Sequence, residues 1–428
     1  MFTCYLLDGE ACERQFEDLA PVVAAVERSR RALYEMELDA VIDILARLGR
    51  ALVRDPAISG QPGVTYIALW LRRDNLERIC RLNYGDPGYL GAFREFEGYC
   101  GLAAQPRGIV CHWIAGNIPT LAFFSVAQCI LSRNGSLVKV PVENRGLLLA
   151  ILGHLKGISI ERGGKQHTGD EILRSIAVLS FEGRDLGASE QFSLAADCKM
   201  LWGSSEAIRA IAALPQKEHC DVITFGPKYS FGAFDRASIE GDGFDRALEA
   251  AARDAAVFNQ MACSSPHVYF FEKSRYSLEE IADRLQKCFE ALPPKLLAQP
   301  LPPAIAARVI NARGRYLLAD GAGIRKPAGL GWTILINRDL CLEEPVQGRC
   351  VFLKEVEDVE DVLPLLTRKV QALSVAIRDP AERERFALEA SYRGVDRIVA
   401  PGKMHDFDLP WDGYMTLNRL VRWALLKT

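Results

Sequence analysis

From residue 16 to residue 57 the chain reads FEDLAPVVAAVERSRRALYEMELDAVIDILARLGRAL and onward, with apolar positions recurring at three and four and charges between them. No proline interrupts this run between Pro21 and Pro56. That spacing predicts amphipathic helices. From about residue 108 the pattern changes to short apolar runs alternating with helical stretches. GIVCHWIAG reads as a strand and loop, TLAFFSVAQCILSRNG as a helix capped by Gly135, SLVKVP as a short strand and GLLLAILGHLKGI as a helix. IAVLSFEG and KMLWG read as strands, SEAIRAIAAL as a helix entered through a serine, and DVITFG as a further strand. Such alternation predicts a parallel, doubly wound α/β sheet.

A second alternating set follows: the helix FDRALEAAARDAAVFNQ, the strand HVYFFEK and the helix SLEEIADRLQKCFEAL. GWTILINRD and CVFLKEV read as strands, DVEDVLPLLTRKVQAL as a helix and DRIVAPG as a last strand. The Pro-rich LPPKLLAQPLPPA, 292–304, reads as a loop. Two α/β domains are expected, meeting between residues 226 and 245. The fuller division is an N-terminal helical region at 1–105, a nucleotide-binding domain at 106–228, a catalytic domain at 229–400 and a packing or oligomerisation segment at 401–428. In that last segment Leu417, Leu420, Val421, Trp423 and Ala424 fit a helix stripe.

The 428 residues are 49% hydrophobic and 25% charged with a formal net charge of −3, so neither nucleic acid nor an anionic membrane is expected as a partner. Trp113 to Ser132 carries no charge, yet it holds Asn, Pro, Thr, Gln and Ser; a buried helix is expected there, not a membrane span. The twelve cysteines are scattered, with no CxxC and no zinc-ligand spacing, so free thiols, no metal and a cytoplasmic chain are expected. The first residues lack a basic start followed by an apolar core, so no secretion signal is expected.

Four stretches carry candidate chemistry. HWIAGNIPT (112–120) places Asn117 after a strand, and SLVKVP (136–141) places Lys139 at a strand end. LWGSSEAIRA (201–210) places Trp202, Gly203 and Ser204 at a strand–turn–helix junction, where helix N-termini favour anions. TFGPKYS (224–230) is followed by FNQMACSSP, which sets Cys263 in a small polar loop. Any one cysteine is by default a buried apolar residue. A thiol in such a loop is also a competent nucleophile, because a few per cent is thiolate even unperturbed.

In order and spacing these stretches resemble the aldehyde dehydrogenase superfamily, and within it the acyl-CoA reductase (LuxC-like) branch typified by the fatty acid reductase of bacterial luminescence. The resemblance covers roughly residues 105–428. It implies an α/β, aldehyde-dehydrogenase-like fold, with a Rossmann-type nucleotide-binding domain, an α/β catalytic domain and extra N-terminal helices. It implies that Cys263 is the nucleophile and that the Asn117 amide donates to the oxyanion. It implies that Lys139 binds the adenosine ribose and that Trp202, Gly203 and Ser204 hold the pyrophosphate. Glu344, or its neighbour Glu343, would orient the nicotinamide ribose. This chain departs from the family at Ile208, where a second glycine is usual, and at Trp202, where a smaller residue is usual. Where hydrolytic members carry the glutamate that activates water, this chain has Thr224, which is no general base near neutral pH.

The resemblance further implies NADPH, or NADH, as cofactor, and an acyl-CoA or acyl-carrier substrate reduced to the aldehyde. An acyl-transferring partner protein and a homo-oligomer are implied likewise. Arg209, near the turn, is a candidate for a 2′-phosphate, although a solvated helix arginine accounts for it as well. His267, at the next strand start, reads as an inward-facing strand residue. The competing readings are NAD(P)-dependent oxidation of an aldehyde, a cysteine acyltransferase without nicotinamide, and a noncatalytic subunit.

Overall fold

The structure is a computed structural model that describes residues 1–98, 100–297 and 299–427; Ala298, inside the Pro-rich stretch, lies outside the described residues. The chain forms two compact units, Met1–Gly226 with Phe407–Thr428, and Pro227–Asp406.

The first unit is built on a seven-stranded sheet. Across it run Asp221–Phe225, Cys198–Trp202, Ile109–Trp113, Gly135–Lys139, Ile176–Ser180, Phe2–Leu7 and Glu10–Phe16. The first five are parallel and the last two close the edge antiparallel. The four inner parallel strands are buried on both faces, which is why they read as nearly continuous apolar runs. Strand order reverses direction between Ile109–Trp113 and Cys198–Trp202, and such a switch point opens a crevice at the strand C-termini.

The N-terminal region departs from the expected all-helical reading. Helices Ala20–Glu35 and Leu38–Arg54 are present, but the chain begins with a hairpin. Its turn is Asp8-Gly9, both at positive φ (52° and 79°), the Asp-Gly pair that a two-residue hairpin favours. Gly135 is not a helix cap either. The helix Leu121–Leu131 ends earlier, and Gly135 opens the next strand. A Cβ at 135 would lie 2.8 Å from Val26 Cγ1, so the glycine lets the Ala20–Glu35 helix pack against the sheet. Residues 122–131 of the uncharged stretch are all buried. Among the described residues no helix is long and apolar enough to cross a membrane.

The expected C-terminal helix stripe is also corrected. Only Thr416–Arg419 is helical, and Val421–Leu426 is a strand antiparallel to Cys100–Pro106. Long-range pairing overrides local periodicity here. Arg419 Nε donates to Asp221 Oδ2 at 2.9 Å, Asn134 Nδ2 to the Leu420 carbonyl at 2.9 Å, and the Leu417 N–H to Asn83 Oδ1 at 3.1 Å. The segment is thus tied into the first unit.

The second unit carries another seven-stranded sheet: Gly323–Arg325, Thr333–Ile336, Cys350–Val356, Pro266–Glu272, Tyr229–Phe234, Val370–Ala376 and Arg397–Val399. All neighbours are parallel except the first pair. Apolar clusters cover both faces. The helix expected over DVEDVLPLLTRKVQAL is instead a 3-10 turn, Val359–Leu365, and then the strand Val370–Ala376. Pro364 lacks the N–H that a longer helix needs. Tyr229–Phe234 (YSFGAF) is a central strand hidden in the sequence by its glycine and serine.

Candidate active site

In the first unit a cleft of about 630 Å³ opens at the C-terminal ends of the parallel strands. It brings together four of the expected residues: Lys139, Trp202, Gly203 and Ser204. Ser204 caps the helix Ser205–Ala212, its Oγ accepting from the Ala207 N–H at 3.2 Å. A Cβ at Gly203 would make only ordinary contact, 3.5 Å from Ala207 Cβ, so the fold leaves room there. Ile208 packs at the edge of the sheet's core, which accounts for an apolar residue at that position.

Trp202 is rigidly held. Its ring stacks on Phe225, centroids 3.7 Å apart at 9°. Its Nε1–H donates to Ser125 Oγ at 3.1 Å, and Ser125 Oγ lies 2.8 Å from His112 Nδ1. Burial pushes His112 down to about 3, so this imidazole is neutral at physiological pH. Lys139 Nζ sits 4.4 Å from the centre of the Phe181 ring. Burial lowers its pKa, and the Glu182 carboxylate partly opposes that shift. Arg209 is exposed and does not line the cleft.

Asn117 lies in the first unit, exposed, in the loop between the strand ending at Trp113 and the helix starting at Leu121. The buried Asn144 steadies this loop, its Nδ2 donating to the Gly116 carbonyl at 3.1 Å.

Cys263 belongs to the second unit. Its loop follows the helix Phe244–Ala256 and has three consecutive residues in the left-handed region: Phe258, Asn259 and Gln260, with φ of 54°, 54° and 60°. For side chains of this size such backbone is costly and persists only when neighbours over-determine it. Those neighbours are present. Gln260 is fully buried; its Nε2 donates to the Pro266 carbonyl, and its Oε1 accepts from the Cys350 N–H, both at 2.8 Å. The buried Arg349 donates to Asn259 Oδ1, and the Gly348 N–H donates to the Asn259 carbonyl at 2.9 Å. Ser230 Oγ donates to the Cys263 carbonyl at 2.7 Å. Along Ala262–Phe271 every residue is buried except Cys263, which is half-exposed. The fold therefore presents this thiol and encloses its neighbours.

Beside it, Ser264 Oγ lies 3.1 Å from His405 Nδ1, while His405 Nε2 donates to the Asp254 carbonyl at 2.7 Å. The second bond fixes the tautomer, so Nδ1 accepts from Ser264. Burial lowers His405 to about 4 and raises the Asp254 carboxyl to about 7. His267 is buried within its strand, as expected, and burial lowers it to about 3. Glu344 is exposed. Its neighbour Glu343 is engaged, accepting from Lys354 Nζ at 2.8 Å and Asn337 Nδ2 at 2.9 Å. Tyr229 stands by this segment: burial drives its hydroxyl pKa up, and Glu343, Cys341 and Glu344 add to the rise.

Arg349, His405 and Ser230 are absent from the sequence reading. Arg349 meets Asn259 from 90 residues away and His405 meets Ser264 from 141, so no local pattern announces them.

The family model for acyl-CoA reductase (LuxC) matches residues 33–423. The chain belongs to that family. Among its relatives is the long-chain acyl-protein thioester reductase of Aliivibrio fischeri, 24% identical over 80% of this chain and 69% of the relative. That of Vibrio harveyi is 25% identical over 77% of this chain and 66% of the relative. Solved structures agree on the fold. A lactaldehyde dehydrogenase superposes with a TM-score of 0.70 at 14% identity, covering all of this chain and 98% of that one. A Thermus 1-pyrroline-5-carboxylate dehydrogenase with bound NAD gives 0.70 at 14% identity, with 100% and 90% covered. This acyl-CoA reductase family member thus has the aldehyde-dehydrogenase-like fold.

Proposed function

We propose that the protein reduces an acyl thioester, carried on coenzyme A or on a protein, to the aldehyde through an acyl-enzyme on Cys263. The observation that carries this reading is the Cys263 loop: one half-buried thiol that follows the left-handed backbone of residues 258–260, in a loop that Gln260, Arg349 and Ser230 hold in place. The family and its relatives' names support the substrate class.

A nicotinamide dinucleotide fits the first unit's cleft on this chain's own residues. The cleft lies at the strand C-termini, with a helix N-terminus and Ser204 for the pyrophosphate and Lys139 at the far strand end. Bound there, it supplies the hydride. The Cys263 thiolate attacks the thioester carbonyl carbon; Asn117 and the Cys263 N–H stabilise the developing oxyanion. The C–S bond to the donor breaks, and the donor thiolate leaves and takes up a proton. A hydride supplied to the acyl carbon would leave a thiohemiacetal alkoxide on Cys263, held by the same Asn117 and Cys263 N–H donors, and its C–S bond would break to release aldehyde and restore the Cys263 thiolate. Glu344 is assigned to the nicotinamide ribose. Thr224, in place of a water-activating glutamate, protects the acyl-enzyme from hydrolysis, so reduction wins. We further assign the protein to the cytoplasm, as a homo-oligomer.

The test is product analysis. Acyl-CoA with NADPH or NADH should yield aldehyde and free coenzyme A in equal amounts. Rapid aldehyde oxidation with NAD(P)+ and no coenzyme A would overturn the direction proposed. Thioester turnover independent of the dinucleotide would overturn the reductase reading in favour of acyl transfer.

A further inference from the structure

We propose that Glu182 selects the dinucleotide, and that the hydride donor is NADH rather than the NADPH implied by the family resemblance. The inference rests on the dinucleotide site proposed above. Among the described residues lining the cleft, Lys139 is the only side-chain cation and Glu182 the only carboxylate. Both stand at the C-terminal ends of adjacent parallel strands, Gly135–Lys139 and Ile176–Ser180. The Lys139 ammonium lies directly over the Phe181–Gly183 turn: 4.4 Å from the Phe181 ring centre, and 3.8 Å from where a Cβ on Gly183 would sit.

A ribose diol suits this pair, because a carboxylate accepts from its hydroxyls while an ammonium donates to its oxygens. A 2′-phosphate does not suit it. That group brings a charge of about −1.5 to −2 and calls for a cluster of Arg or Lys. Here it would meet one side-chain ammonium with the Glu182 carboxylate beside it, and the Met1 α-ammonium, which also lines the cleft, is already paired with Asp185 Oδ2 at 3.1 Å. Arg209, the other basic candidate near the turn, does not line the cleft.

Trp113 and Trp202 line the cleft and give a readout independent of turnover. Energy transfer from tryptophan to the reduced nicotinamide reports binding of NADH and NADPH to the full chain. The wild type should bind NADH about tenfold more tightly than NADPH, a gap set by one partly screened like-charge contact. Glu182→Gln, on an exposed turn, should close that gap mainly by improving NADPH. A wild type that prefers NADPH, or a Glu182→Gln ratio equal to the wild-type ratio, overturns the assignment and leaves the dinucleotide site standing. Binding of neither dinucleotide overturns the assignment and the dinucleotide site together.

Discussion

Cys263 differs from the seven buried cysteines in its surroundings, not in its spacing. Cys111, Cys129, Cys198 and Cys350 are buried, and desolvation pushes each thiol well above its ordinary value, so they stay protonated and inert. Cys263→Ala should abolish acyl-enzyme formation and lower the reduction rate by at least about a thousandfold, read by steady-state kinetics. Arg349 acts by support alone. Burial lowers it to about 10, so it remains charged at neutral pH, held by the carbonyls of Gly331, Leu330 and Gln299 and by Asn259 Oδ1. Arg349→Met strands those acceptors and should cost about 2–4 kcal/mol by urea denaturation. Asp254 predicts the pH profile. Burial raises its carboxyl to about 7, although the Gly402 and Met404 N–H groups oppose the rise. The folded state therefore holds a proton that the unfolded chain releases near pH 4. Its contribution is complete below pH 4 and is lost as the pH climbs through about 7. Asp254→Asn should flatten the loss of stability between about pH 4 and 7, a difference of at most about 4 kcal/mol, seen by thermal melts across that range.

The loop carrying Cys263 is a junction held by four separate segments, so its stiffness is a property of the element. His405→Ala removes the acceptor for Ser264 and the donor to Asp254 and should slow Cys263 alkylation by iodoacetamide; His405→Gln, which keeps one donor and one acceptor, should restore much of it. Equal alkylation rates in both variants would remove His405 from the loop's support. At this scale sequence and structure part company in an instructive way. The parallel strands Ile109–Trp113, Gly135–Lys139, Ile176–Ser180 and Cys198–Trp202 were legible, because strands buried on both faces must be continuously apolar. So was the Ser204 cap, whose chemistry is local. Val421–Leu426 was not, because a strand paired to Cys100–Pro106 has no helical or β signature of its own strong enough to compete with a chance stripe. The Asp8-Gly9 turn was readable and marks the hairpin that the helical reading passed over. The Cys263 loop was legible from its small polar residues, with the nucleophile role resting on the resemblance, whereas Arg349 and His405 depend on contacts made only after the second unit folds.

Each unit supplies one half of the proposed chemistry: a cleft suited to a dinucleotide in the first, a presented thiol in the second. The small sheet formed by Arg94–Phe96, Cys100–Pro106 and Val421–Leu426 exposes Phe96, Trp423, Leu425 and Leu426, with Trp423 and Leu425 on one face of their strand. If the expected homo-oligomer uses this sheet, Leu425→Arg should shift the sedimentation profile to a smaller species without unfolding either unit. The central claim stands on the thiol. Intact-protein mass spectrometry after exposure to a panel of acyl-CoAs should show a single acyl adduct that maps to Cys263, disappears in Cys263→Ala, and is discharged as aldehyde when the reduced dinucleotide is added. An adduct on another residue, or one that reduced dinucleotide leaves intact, would contradict it.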